Sequence, residues 1–156
     1  MTSAPVFEPE FVAALRFLFE ERIAFNRVVG LRVGAITPQR VHGTLAMRPE
    51  LVGHHTHQRL HGGVISATLD AMAGLAVMAA IGARHLDEST AERLHRYAKL
   101  GTIDLRIDYL RPATGTDFKL SAEVLRLGSR VASARMDFSD AGGQLLATGA
   151  AAYIVS

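Results

Sequence analysis

The sequence contains no cysteine. That absence removes disulfides, thiolate nucleophiles and cysteine-ligated zinc together, and it suits a protein of the reducing cytoplasm. Excess charge is missing as well. The formal balance is only +2, which does not mark a chain that binds nucleic acid by bulk attraction. The opening stretch, MTSAPVFEPEF, has neither a basic segment nor the 7–15-residue apolar run of a secretory signal. G-x-S-x-G, G-x-G-x-x-G, the P-loop and H-E-x-x-H do not occur. The nucleophile elbow, the dinucleotide fingerprint, the NTPase phosphate cradle and the zinc-protease helix go with them. Repeats, linkers and low-complexity tracts are also lacking, so one domain is expected over 1–156.

What is present is a globular composition: 49% hydrophobic and 21% charged over 156 residues, enough for one proper core. Residues 9–26, PEFVAALRFLFEERIAFN, space Phe11, Leu15, Leu18, Phe19 and Ile23 as an amphipathic helix, with Pro9 suited to its first turn. The period then drops to two. LRVGAI and VHGTLAM read as strands joined at Thr37-Pro38-Gln39. A loop rich in histidine leads into an apolar helix over about 62–82. Residues 84–100 have helical spacing, with Ser89 or Thr90 as N-cap. Four strand-like runs follow: TIDLRIDYL, FKLSAEVLRL, RVASARMDF and QLLATGAAAYIVS. The first of them is expected to put Ile103, Leu105, Ile107 and Tyr109 on one face.

The 62–82 helix is long enough to span a bilayer. It is built largely from Ala and Gly, however, and Asp70 near its middle would cost about 2.5–3.5 kcal/mol at the membrane centre. A helix apolar all round also suits the buried centre of a globular fold. The expected class is therefore α+β, with a curved six-stranded antiparallel sheet around a long central helix. Membrane insertion is not expected. Open sheet edges favour pairing of two copies.

The chemistry-bearing stretch is HHTHQRLHGGVISATLD. Asp70, alone in an apolar helix, is either a structural hydrogen-bonder or a general base or nucleophile facing a crevice. His61-Gly62-Gly63 opens the helix, where free N–H groups and the helix dipole suit an oxyanion. Gly-Gly is equally a flexible junction. Asp70 lies about 12–13 Å along the helix from His61, too far for both to act on one carbonyl within a chain. A shared site would need two protomers. The His54, His55, His57 and His61 cluster lacks the cysteine or carboxylate partners that a metal would need, so no metal is expected. Arg111, Arg126 and Arg130 near turns are solvated ends or a phosphate-holding patch.

HGGVISATLD, with GTIDLRIDYLRPATG and the glycine turn before RVASARMDF, resembles the hotdog-fold thioesterases of the phenylacetyl-CoA thioesterase branch. FNRVVGL and the inserted 84–100 segment are most similar to a small bacterial subgroup acting on medium- to long-chain acyl-CoA. The resemblance implies a hotdog fold and hydrolysis of acyl-CoA thioesters in fatty-acid metabolism. Asp70 would activate water or attack directly, Gly62 N–H with His61 would polarise the carbonyl, and Thr102 would help hold the water. Where the branch carries an Asn before the H-G-G, this chain has His54 and His55, which makes His55 the candidate there. Gly63, Arg111 and Arg130 would bind the CoA portion of the substrate, and no separate cofactor is implied. The implied assembly is a homodimer, and beyond it a tetramer as a dimer of dimers. An acyl-CoA sensor without catalysis and a hotdog hydroxyacyl dehydratase are the alternatives.

Overall fold

The computed structural model describes residues 7–156. The first six residues of the expected domain, which open the stretch read for a secretory signal, lie outside the described residues. The order is α1 (Pro9–Phe17), a π-helical turn (Leu18–Arg22), α2 (Ala24–Val29), β1 (Arg32–Ile36), β2 (Val41–Ala46), β3 (Val52–His54), β4 (Arg59–Leu60), α3 (Gly62–Arg84), α4 (Thr90–His95), β5 (Gly101–Tyr109), β6 (Asp117–Leu127), β7 (Val131–Asp140) and β8 (Leu145–Ile154).

Six strands form one antiparallel sheet in the order β1-β2-β6-β7-β8-β5, the hotdog arrangement expected. Among its inner strands, β2 and β7 show the alternation of a half-buried sheet. In β2, Val41, Gly43 and Leu45 point inward, and in β7, Ala132, Ala134, Met136 and Phe138 do the same. These faces pack on α3, whose Leu69, Met72, Leu75 and Met78 are fully buried. Each such side chain contributes about 1.5–3 kcal/mol of burial free energy. Small residues set the approach. A side chain on Gly43 would begin 2.8 Å from the Met72 sulfur. The ring of Phe11 from α1 occupies the space beside Gly82. Most of the apolar surface of α3 is therefore covered by protein.

Four expectations change. The helix over 9–26 is broken: a π turn ends at Ile23, whose backbone is extended (φ −80°, ψ 98°), and α2 resumes to Val29 before Gly30 in the left-handed region. Asn26 holds the break by donating to the Phe19 carbonyl at 2.9 Å. The helix over 84–100 is split. Arg84 ends α3, and α4 starts only at Thr90, under a Ser89–Glu92 capping box. A 3₁₀ turn then spans Arg96–Lys99. The histidine loop contains a small β3–β4 ribbon. Finally, Ile103 leaves the face assigned to it. A β-bulge between Thr102 and Asp104 shifts the register, so Thr102 lies opposite the buried Tyr153, while Leu105 and Ile107 lie opposite the buried Ala151 and Gly149. The bulge turns Ile103 outward and Thr102 inward.

Candidate active site

α3 offers chemistry at two places. The first is its N-terminus, where four N–H groups lack intrahelical partners. His61 N–H donates to the Leu51 carbonyl at 2.8 Å, and Val64 N–H to the His61 carbonyl at 2.9 Å. Gly63 N–H donates to His61 Nδ1 at 2.8 Å, which makes His61 the N-cap. For the fourth, Gly62 N–H, no acceptor is found among the described residues. It is a free donor at the positive end of a 23-residue helix. Accepting at Nδ1 also leaves Nε2 as the protonated nitrogen of a neutral His61.

Gly63 is needed for this geometry, and Gly62 lets the Tyr109 ring lie close. A side chain on Gly63 would begin 2.9 Å from His61 Nδ1, and one on Gly62 would begin 3.3 Å from the ring of Tyr109. Tyr109 O–H donates to the Gly62 carbonyl at 2.8 Å. A cavity of about 330 Å³ opens here, lined by Arg59, Gly62, Tyr109 and Arg111 among others. Arg111 is exposed and donates to the Leu145 carbonyl at 2.8 Å.

The second place is Asp70. It lines a separate cavity of about 280 Å³ with Phe19, Ile23, Ala67, Gly74, Leu100 and others. Among the described residues lining it there is no Lys, Arg or His, and Asp70 forms no ion pair. Its partners are hydroxyls. Thr102 Oγ1 donates to Oδ1 at 2.9 Å, and Tyr153 O–H stands 2.5 Å from Oδ1 and 2.6 Å from the Asp70 carbonyl. Burial pushes the Tyr153 phenol far above its ordinary range, and its bond to Asp70 and the charge there push the same way. Tyr153 therefore stays a proton donor. Tyr97, also in the wall, is raised by burial and then by the charge of Asp70.

The structure thus brings Thr102 to Asp70, and groups Gly62, His61, Gly63 and Arg111 at the helix start. The two cavities share no lining residue. By helix rise Gly62 and Asp70 stand about 12 Å apart. His55 sits exposed on a 3₁₀ turn, stacked against His54, and Arg130 is exposed at the β6–β7 turn; neither lines either cavity. Sequence reasoning missed Tyr153, Tyr109 and Tyr97. The alternation of the last strand marks Tyr153 as inward-facing, but its meeting with Asp70 depends on a cross-strand register that only the fold supplies.

The family model described as "Thioesterase superfamily" matches residues 57–147. A Salmonella typhimurium protein named medium/long-chain acyl-CoA thioesterase YigI is 36% identical over 138 residues, covering 88% of this chain and 89% of that protein. Its Escherichia coli K12 counterpart is 35% identical over the same shares. A solved Shewanella oneidensis structure, described as related to the thioesterase superfamily, aligns with a TM-score of 0.87 at 34% identity. It covers 96% of this chain and 100% of that one.

Proposed function

This chain belongs to the thioesterase superfamily, and on that premise we propose that it hydrolyses medium- to long-chain fatty acyl-CoA to free acid and CoA. The observation that carries the reading is Asp70: an unpaired carboxylate in a cavity walled by Phe19, Ile23, Phe25, Ala71 and Leu100. It is the group there with the chemistry of a general base, and the apolar wall suits an acyl chain. The near-full-length similarity to YigI, whose name specifies medium and long chains, supports the length class.

In the general-base form, Asp70 takes a proton from water as the water oxygen attacks the thioester carbon. The carbonyl electrons move to oxygen, where Gly62 N–H of a partner protomer receives the negative charge. Collapse of the adduct expels CoA thiolate, which regains the proton from Asp70. In the covalent form, Asp70 itself attacks and water then cleaves the mixed anhydride. An oxyanion donor of this kind is worth about 3–4 kcal/mol. The free Gly62 amide and the cavity beside it support its role as that donor. Arg111 beside Gly62 is suited to CoA phosphates. His55, Gly63 and Arg130 remain candidates for the leaving group, and the Gly63 amide is already engaged by His61.

The separation of Gly62 from Asp70 supports a homodimer with sites at its interface. β5 is the edge strand that carries Thr102 and Tyr109, and it leaves Ile103 exposed on its outer face and Leu105 and Tyr109 exposed on its inner one, with Leu110 just beyond, an open apolar edge for the second copy. Pairing of two dimers and residence in the cytoplasm complete the reading.

The test is thiol release from acyl-CoAs of graded length, followed with a thiol reagent. Release that peaks at medium to long chains and disappears in Asp70→Ala supports hydrolysis. Tight binding without release would instead make the protein an acyl-CoA sensor.

A further inference from the structure

We infer that Tyr153, a residue buried in the last strand, is the positioning residue of the reactive carboxylate: with Thr102 it holds Asp70 Oδ1 and leaves Oδ2 as the oxygen that meets water or thioester. The inference rests on the hydrolase reading and adds an atom-level assignment to it.

The geometry is asymmetric. Both hydroxyls converge on Oδ1, at 2.5 and 2.9 Å, and no described residue donates to Oδ2. A carboxylate has about four acceptor positions across two oxygens, so two donors on one oxygen fix the side chain and leave the other oxygen free. The two donors come from directly opposed residues of neighbouring strands, Thr102 of β5 and Tyr153 of β8. The opposition exists because of the bulge after Thr102. In an unbulged strand of the same sequence, Thr102 would face outward with Asp104, Arg106 and Asp108.

Tyr153 is suited to a fixed role. It is only 2% exposed, and its phenol is held protonated. Its ring packs beside Gly74, where an added side chain would begin 3.7 Å from the Tyr153 ring. Tyr153 lies in the wall of the same cavity, and its one polar group is spent on Asp70, so it acts through the carboxylate. The groups facing Asp70 from each packed element are Thr102 from β5, Tyr153 from β8 and Tyr97 from the 3₁₀ turn, and none carries positive charge. Its partners are hydroxyl donors rather than a cation, and a carboxylate's charge loses support when such a donor is removed.

The experiment compares wild type, Tyr153→Phe, Thr102→Val and Thr102→Ser, using purified full-length protein and an acyl-CoA the wild type cleaves. Tyr153→Phe keeps the ring and removes one hydroxyl. It is expected to lower kcat roughly ten- to hundredfold with KM little changed, since a hydrogen bond to a charged group is lost. The acid limb of its kcat/KM profile moves to higher pH. Thr102→Val gives a smaller change of the same kind, and Thr102→Ser restores the wild-type profile. Thermal unfolding is measured alongside, and a fall in kcat with an unmoved acid limb would mean a merely structural Tyr153. That outcome, or an unchanged kcat, overturns the inference. It would follow if the phenol proton goes to the Asp70 backbone carbonyl instead, 2.6 Å away. Failure of the wild type to cleave any acyl-CoA is a separate result, which sinks the hydrolase reading itself.

Discussion

The two ends of the first half of α3 solve opposite problems. At His61–Gly63 the chain is exposed or half-exposed, small and polar, and three of the four spare N–H groups of the helix start are bonded to Leu51 or His61 so that one amide stays free. At Asp70–Gly74 the helix is enclosed, and a charged side chain is held by hydroxyls arriving from strands 32 and 83 residues away in sequence. The first device is built within a few residues of chain. The second exists only when the whole sheet has assembled. A local device tolerates change around it, whereas one built from three elements is sensitive to each of them.

That contrast can be broken from either end, and Asp70→Ala should have the largest effect. It removes the only carboxylate among the described residues lining its cavity, and thioesterase activity should fall to the background of the assay while the protein remains folded. Assayed thiol release together with thermal unfolding checks both halves. Gly62→Pro comes next and isolates the other device. Residue 62 is the first residue of the helix, where proline is well tolerated, and His61 already has the extended backbone (φ −64°, ψ 131°) that a following proline requires. The substitution removes one N–H and leaves the helix, so kcat should drop roughly 10²–10³-fold, the usual cost of an oxyanion donor. Gly63→Ala sharpens the comparison, because its methyl would sit against His61 Nδ1 and displace the cap. The expected cost in chemical-denaturation stability is about 1 kcal/mol, with activity reduced less than in Gly62→Pro. His61→Ala should give the smallest change. It loses the cap at a cost of about 0.5–2 kcal/mol but leaves the Gly62 amide in place, so kcat should fall less than in Gly62→Pro.

The same contrast explains what was legible in the sequence. Order and class of elements, the six strands and the long apolar helix follow from periodicity, which depends only on neighbours along the chain. H-G-G opening a helix with Asp70 nine residues on is likewise local, and so could be recognised. The breaks were not. The turn of α1 into α2 at Ile23 depends on Asn26 reaching the Phe19 carbonyl, and no spacing rule announces it. The bulge at Ile103 is invisible to a period-two pattern, yet it decides that Thr102 faces Asp70. Tyr153 carried no signal beyond being inward-facing. Its partner is set by strand register, which is a property of the fold rather than of the segment.

The central claim is that one working site takes its carboxylate from one chain and its oxyanion amide from another. Mixed dimers made by co-expressing differently tagged Asp70→Asn and Gly62→Pro chains, each inactive alone, test it most directly. If the claim is right, each mixed dimer contains one intact site and regains about half the wild-type activity per dimer. If the mixed species is as inactive as its parents, Asp70 and Gly62 do not act across protomers, and the account fails.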